Sequence, residues 1–286
     1  MKISNFLFLL AILALVSCKK TEETITKPDA FNSNSNVSAA TDNSIANLMF
    51  EEVYKQVDYS STYMKDSCGG KKSLNAYPCA TVTLGAGEFN LTTWPKHVTV
   101  DFGTSGCVGS DGRTRKGKVI YTASNWMHES GSVCTVTPEN FYVDGYKIEG
   151  SKTITNQGLN ASQHLTYQVV VTNGLITHPN GEHHTWASNR VTEWISGNAT
   201  LLYPWDDKFS STGTASGVTR TNSNYTITID NANPLITEWI CKYIEQGKLT
   251  IVVGTQPSVL VDYGTGACDA NASFTIYGQT YPVVMP

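Results

Sequence analysis

The stretch Phe141–Gly181, FYVDGYKIEGSKTITNQGLNASQHLTYQVVVTNGLITHPNG, decides the fold class. Its apolar runs are rich in β-branched and aromatic residues, which suit a pleated, half-buried surface. Asp144-Gly145 lies between Phe141-Tyr142-Val143 and Tyr146-Lys147-Ile148. Asn173-Gly174 lies between Val169-Val170-Val171-Thr172 and Leu175-Ile176-Thr177, and Asn180-Gly181 follows. Each pair can reach the positive φ that a two-residue hairpin turn demands. Consecutive hairpins predict an antiparallel meander and not a parallel sheet with crossover helices. Working outward, further strands are expected near 98–102, 117–122, 225–229, 248–253, 258–263, 272–277 and 281–285. The fold class read from this pattern is all-β, an antiparallel meander or sandwich-like assembly.

Composition agrees. The 286 residues carry 20 Lys+Arg against 24 Asp+Glu, and charged residues make up 15% of the chain. That is well below the roughly 25% of an average soluble domain. With 35 threonines and 14 tyrosines, the chain has the residues of a sheet. A net charge of −4 leaves no positive excess to neutralise phosphates, which excludes a nucleic-acid binder that works through a basic surface. A hydrophobic content of 40% excludes a fully disordered chain.

The first seventeen residues read as a signal peptide. Lys2 supplies the positive start, and Phe6 to Val16 is an apolar run, shorter than the about 20 residues that span a bilayer. It ends in Leu15-Val16-Ser17-Cys18, which resembles the lipobox of bacterial lipoproteins. That resemblance implies cleavage before Cys18, a diacylglyceryl thioether on its sulfur and a palmitate-type acyl chain on its new amino group. Several chains anchor stably where one is marginal. Lys19 stands where an Asp would hold many lipoproteins at the inner membrane, so the outer membrane is expected. Lys20-Thr21-Glu22-Glu23 fits either a surface-export signal or a plain solvated tether, which leaves the periplasmic or external orientation open.

Residues 18–43 are read as the lipidated cysteine and a flexible tether, because Asn32-Ser33-Asn34-Ser35-Asn36 has nothing to bury. The β-rich domain is placed at 44–286 and opens with one short helix. In it Ile45, Leu48, Met49, Val53 and Val57 recur at helical spacing, with Asp42 or Ser44 as cap. This stripe should dock on the sheet.

The chain also repeats itself. Val98–Cys107 (VTVDFGTSGC) aligns without a gap with Val259–Cys268 (VLVDYGTGAC), and six of ten positions are identical. A further cysteine precedes each copy, Cys79 and Cys241. With Cys18 assigned to lipid, the other six cysteines belong in an oxidising compartment. If the two copies are equivalent, each closes its own disulfide, Cys79–Cys107 and Cys241–Cys268, and Cys68–Cys134 remains. No CxxC pair or Cys/His cluster with zinc spacing is present.

No residue set signals a catalytic centre. The G-x-S-x-G elbow, HExxH and the P-loop are missing from the sequence. With Asn180-Gly181 as a two-residue turn, His178 faces His183 and His184 points to the other sheet face. That hairpin reads as a polar tip, since two histidines lack a third ligand. On the next strand Trp186, Ser188, Arg190, Thr192 and Trp194 share one face, extended by His184. Trp186, Arg190 and Trp194 are the candidate ligand-binding residues, as an exposed platform for sugar rings or as a core face. Trp205-Asp206-Asp207 adds two carboxylates on one turn, a poor glycosidase pair. Asp101 and Asp262 are read as turn caps and not calcium ligands. Arg113, Arg115, Lys116 and Lys118 read as a solvated edge strand, split by face into arginines and lysines.

The segments Val98–Lys118 (VTVDFGTSGCVGSDGRTRKGK), Asn140–Gly150 (NFYVDGYKIEG) and Val259–Cys268, behind a lipobox, resemble a group of Bacteroidetes lipoproteins without known activity. The resemblance covers most of the chain after about residue 45. It implies an envelope location and an all-β fold, and no catalytic residue or cofactor. The expected role is non-enzymatic, structural or binding, with a cell-surface glycan or an envelope protein as partner. A glycan-binding accessory lipoprotein and, after it, a hydrolase are the alternatives.

Overall fold

The computed structural model describes residues 34–68, 79–88, 90, 92–200 and 204–285, with helix side chains described from Ser35 to Gln56. The expected leader, the expected lipidation site Cys18 and the side chains of Cys68 and Val57 lie outside the described residues. Among the described residues one α-helix, α1 (Asn34–Cys68), precedes fifteen strands. The first five are β1 (Thr81–Leu84), β2 (Lys96–Asp101), β3 (Cys107–Val108), β4 (Thr114–Ala123) and β5 (Val133–Val143). The long central strands are β6 (Tyr146–Leu159), β7 (Leu165–Thr177), β8 (His183–Ser196) and β9 (Lys208–Val218). Then come β10 (Asn224–Ile229), β11 (Leu235–Glu238), β12 (Gln246–Val253), β13 (Val259–Thr265), β14 (Asn271–Ile276) and β15 (Gln279–Val284). All pairings are antiparallel, and the sheet order follows the chain order from β1 to β15, with β3 and β11 as side branches. The all-β reading with one N-terminal helix is what the chain forms. The facing walls of a sandwich belong here to one continuous sheet. It curls around α1, so that β2, β4, β5, β6, β8 and β12 all touch the helix.

That enclosure explains the helix. It starts at Asn34, so the last ten residues assigned to the tether are its first turns, and its 35 residues make it long, not short. Ile45, Met49 and Val53 are buried as their spacing predicts, together with Ala39, Ala46 and Phe50. A helix wrapped on several sides has little solvent face left, so its polar residues are buried too. Asp42, expected as a cap, lies in the helix interior, fully buried. It accepts hydrogen bonds from the Arg220 backbone N at 2.9 Å and from Arg220 Nε at 2.7 Å. Glu52 meets Arg115 Nη2 at 2.6 Å and Arg113 Nη1 at 3.1 Å. The basic run is therefore not a solvated edge strand. Its strand β4 lies between β2 and β5, and Arg115 is fully buried, where it also binds Asp111.

The turn pairs divide. Asp144 (φ 49°) and Gly145 (φ 87°) form the two-residue turn between β5 and β6. Asn173-Gly174 is no turn. β7 runs straight through it with a register shift, a β-bulge in which Asn173 takes φ 53°. Gly174 is there for contact: an added Cβ would lie inside the Trp186 carbonyl and 3.1 Å from the Phe50 ring. Asn180-Gly181 does turn the chain, but the closing bond is His178 N to Glu182 O at 2.7 Å. This makes a three-residue loop, one residue longer than expected.

The internal repeat is structural. Val98 and Val100 in β2 and Val259 and Val261 in β13 are buried, as are Phe102 and Tyr263 that follow. Asp101 Oδ1 accepts from Gly103 N at 2.8 Å, and Asp262 Oδ1 accepts from Gly264 N at 2.9 Å, so both acids cap their turns. Each Asp also faces a lysine on the neighbouring strand, Lys118 at 3.6 Å and Lys248 at 3.0 Å. Both lysines follow a positive-φ glycine at a bulge, Gly117 and Gly247. Cys79–Cys107 and Cys241–Cys268 are bonded, with Cα atoms 5.6 and 5.8 Å apart. Cys134 is buried.

Candidate functional site

Between α1 and the inner face of the sheet lies a cavity of about 600 Å³, within the range of small-molecule sites. All six tryptophans of the chain line it: Trp94, Trp126, Trp186, Trp194, Trp205 and Trp239. They come from segments far apart in sequence, and the curl of the sheet brings them to one space. Trp186 and Trp194 form its deep wall, at 3% and 8% exposure. Trp94, Trp126 and Trp239 are half-buried, and Trp205 is exposed.

The expected row on β8 does share one face, and Trp186, Ser188, Arg190, Thr192 and Trp194 all line the cavity. The exposed platform is corrected: this is the inner face, because β8 is a central strand whose other face meets solvent. Each ring is fixed by polar and stacking contacts. Trp186 Nε1 donates to Asn43 Oδ1 at 3.0 Å, and its ring stacks on Phe50 with centroids 5.5 Å apart. Trp194 Nε1 donates to Asp207 Oδ1 at 3.1 Å, and its ring stacks on Phe209. The half-buried Trp94 and Trp126 meet edge to face at 5.2 Å, with Lys96 Nζ over Trp94. Lys55 lies over Trp239.

Arg190 is the unusual member. It is 8% exposed, and its guanidinium lies 5.4 Å from the Trp186 ring. Nη1 donates to Asn47 Oδ1 at 2.6 Å, whereas Nε and Nη2 are buried without a hydrogen-bond partner. Burial works against its charge, and Glu51 partly restores it. Glu51 itself is held by Lys152 at 3.0 Å, which keeps its carboxyl below the usual range against the cost of burial. Asp207 shows the opposite balance. Burial pushes its carboxyl up to about 6, with Asp206 adding to the rise and the Trp194 indole opposing it.

A second polar cluster lies where the β7–β8 hairpin meets α1. His178 faces His184, not His183, with Nε2 and Nδ1 3.0 Å apart. The longer loop shifts the pairing by one, so that Thr177 opposes His183. With Asp42 their ligand atoms fall within 4.8 Å of one another. A dication there would have to share Asp42 with Arg220, which already occupies both carboxylate oxygens. The cluster therefore reads as a neutralised network that ties helix to hairpin. Burial draws His184 well below its usual value, with His178 and Arg220 adding to the fall and Asp42 opposing it. A third group, Cys241, Cys268 and Glu245, contains the two sulfurs of a disulfide.

Sequence reasoning finds the β8 row, singles out Trp205 only through the two acids beside it, and misses Trp94, Trp126, Trp239, Asn47, Glu51 and Lys152. The one available signal is that every tryptophan lies in or beside a strand or turn segment of one curled sheet, and only the curl makes that a site. No protein family, curated protein or solved structure matches the chain.

Proposed function

We propose that the chain is an outer-membrane-anchored lipoprotein, attached through Cys18, that captures a small molecule in the tryptophan-lined cavity. The observation that carries this reading is the convergence of all six tryptophans on one space of about 600 Å³. Amphipathic rings around a cavity suit a ligand with flat faces, whether a sugar or an aromatic ring. The polar members are held by protein partners and positioned to orient such a ligand. This is a binding role, with the lipid tether as the means of attachment.

Because every tryptophan lines the cavity, intrinsic fluorescence reports on it directly. Titration with a panel of neutral and acidic ring compounds should give a saturable emission change at one ligand per chain. Ser188→Phe, which fills the cavity from β8, should abolish the change. A panel that gives no saturable change, or a response that survives the filled cavity, refutes the reading. The anchor is tested by labelling cells with an alkyne fatty acid, where Cys18→Ser should lose the label.

The hydrolase reading keeps one supporting observation. Asp207 holds its proton up to about pH 6 at the wall of a cavity that Glu51 and Glu238 also line. Release of a chromophore from aryl glycosides, lost in Asp207→Asn, would favour it.

A further inference from the structure

Arg190 is a full positive charge inside a cavity wall, and a guanidinium stays protonated in proteins. Among the described residues, no acid lies within ion-pair distance of it. Its one bond, to Asn47, is to a neutral amide. Nε–H and Nη2 lie along the same edge of the guanidinium, and this edge is the one left without partners. Two parallel donors on one edge match the two oxygens of a carboxylate. Two of the acids that line the cavity have cation partners: Lys152 holds Glu51, and Lys208 holds Glu238 at 2.5 Å. The Trp194 indole occupies Asp207 Oδ1. An incoming anion thus meets, next to the face of Trp186, a buried cation with no acid within ion-pair distance, while Glu51 and Glu238 are held by lysines.

Resting on the cavity reading above, we infer that the captured ligand is a ring-bearing organic acid. A turn of the buried side chain opens the Nε–Nη2 edge of Arg190 to the ligand's carboxylate, and its ring stacks in the tryptophan wall beside it. The acid has two sources of the same chemistry, a uronic acid sugar and an aromatic acid. The half-buried rings of Trp94, Trp126 and Trp239 and the exposed ring of Trp205 offer flat surfaces to either.

The test is calorimetry on the full lipidated chain in detergent, with each acid compared with its own amide. One arm uses methyl glucuronoside and its amide, the other 1-naphthoate and 1-naphthamide. At least one acid should bind about 100-fold more tightly than its amide, the scale for a desolvated, bidentate charge pair. The arm that shows the preference identifies the source. Arg190→Met should erase it, so that acid and amide bind alike, and Arg190→Lys should keep about a tenth of it, since a point charge lacks the fork. The acid–amide comparison in the unmodified chain needs no variant and stands even if Arg190→Met fails to fold. Equal binding of acid and amide overturns the carboxylate inference while leaving the cavity reading intact. No binding by any of the four probes overturns both.

Discussion

Asp207→Asn should make the protein more stable at neutral pH. The Asp207 carboxyl has a folded-state value of about 6 against an ordinary 3.8, because burial disfavours its charge. The folded chain therefore holds this proton more tightly than the unfolded chain does. The resulting stability is fully present below about pH 4 and is lost as pH rises through about 6. Each tenfold difference in proton affinity between the folded and unfolded chains corresponds to about 1.4 kcal/mol, giving an upper bound of about 3 kcal/mol. Screening by water in the cavity reduces that to about 1–2 kcal/mol. Asparagine carries no charge, and its Oδ1 can still accept from Trp194 Nε1, so the variant avoids the cost. Thermal unfolding by circular dichroism between pH 4 and 8 should show the two proteins converging at pH 4. At pH 7.5 the variant should melt about 2–8 °C higher. A difference that does not change with pH, or a less stable variant at pH 7.5, refutes the assignment of a buried, proton-retaining carboxyl.

His184, whose value burial depresses, runs the other way: its contribution is present above about pH 6.5 and is lost below it. The melting temperature of His184→Gln should therefore fall less steeply between pH 6.5 and 4 than that of the parent. Glu52→Gln removes the charge that Arg115 and Arg113 share and should cost about 3–5 kcal/mol, read from urea midpoints. Gly117→Ala should cost about 2–4 kcal/mol, since a Cβ at φ +83° would enter the Asn140 carbonyl. Opening Cys79–Cys107 or Cys241–Cys268, with partners 28 and 27 residues apart, should each cost about 3–4 kcal/mol. Equal melting with and without reductant would count against both bonds.

Much of the sheet is legible in the sequence because β-structure is written locally. Asp144-Gly145 is a turn on its own evidence, and the terminal strands lie where their apolar runs place them. The two disulfides follow from a gap-free repeat. What is not local is not legible. Asn173-Gly174 has the composition of a turn, and only the Phe50 ring of a helix more than 120 residues earlier explains it as a close approach. The Gly-Lys partners of the repeat escape alignment because chain order is reversed: β4 follows its Asp strand β2, whereas β12 precedes its Asp strand β13. A tether ending at residue 43 runs too far into the fold, since Asn36, Asp42 and Asn43 look solvated and are buried only because a sheet closes over them. The cavity has the same character. Its β8 row shows as an alternation, but whether that face looks in or out depends on a curl no single strand encodes.

Because sheet order follows chain order so nearly, the molecule can be assembled in sequence. Each strand from β4 to β10 finds its hydrogen-bonding neighbour already made, no more than about a dozen residues behind it. Loop-closure entropy is then met in small steps, which is uncommon for a sheet of this size. The helix is the exception, since its contacts with β12 link the first described element to nearly the last. It works as a mandrel: the sheet's own twist supplies the curl, and the buried helix sets what the curl closes on. Shortening α1 should therefore leave the hairpins formed and the enclosure lost.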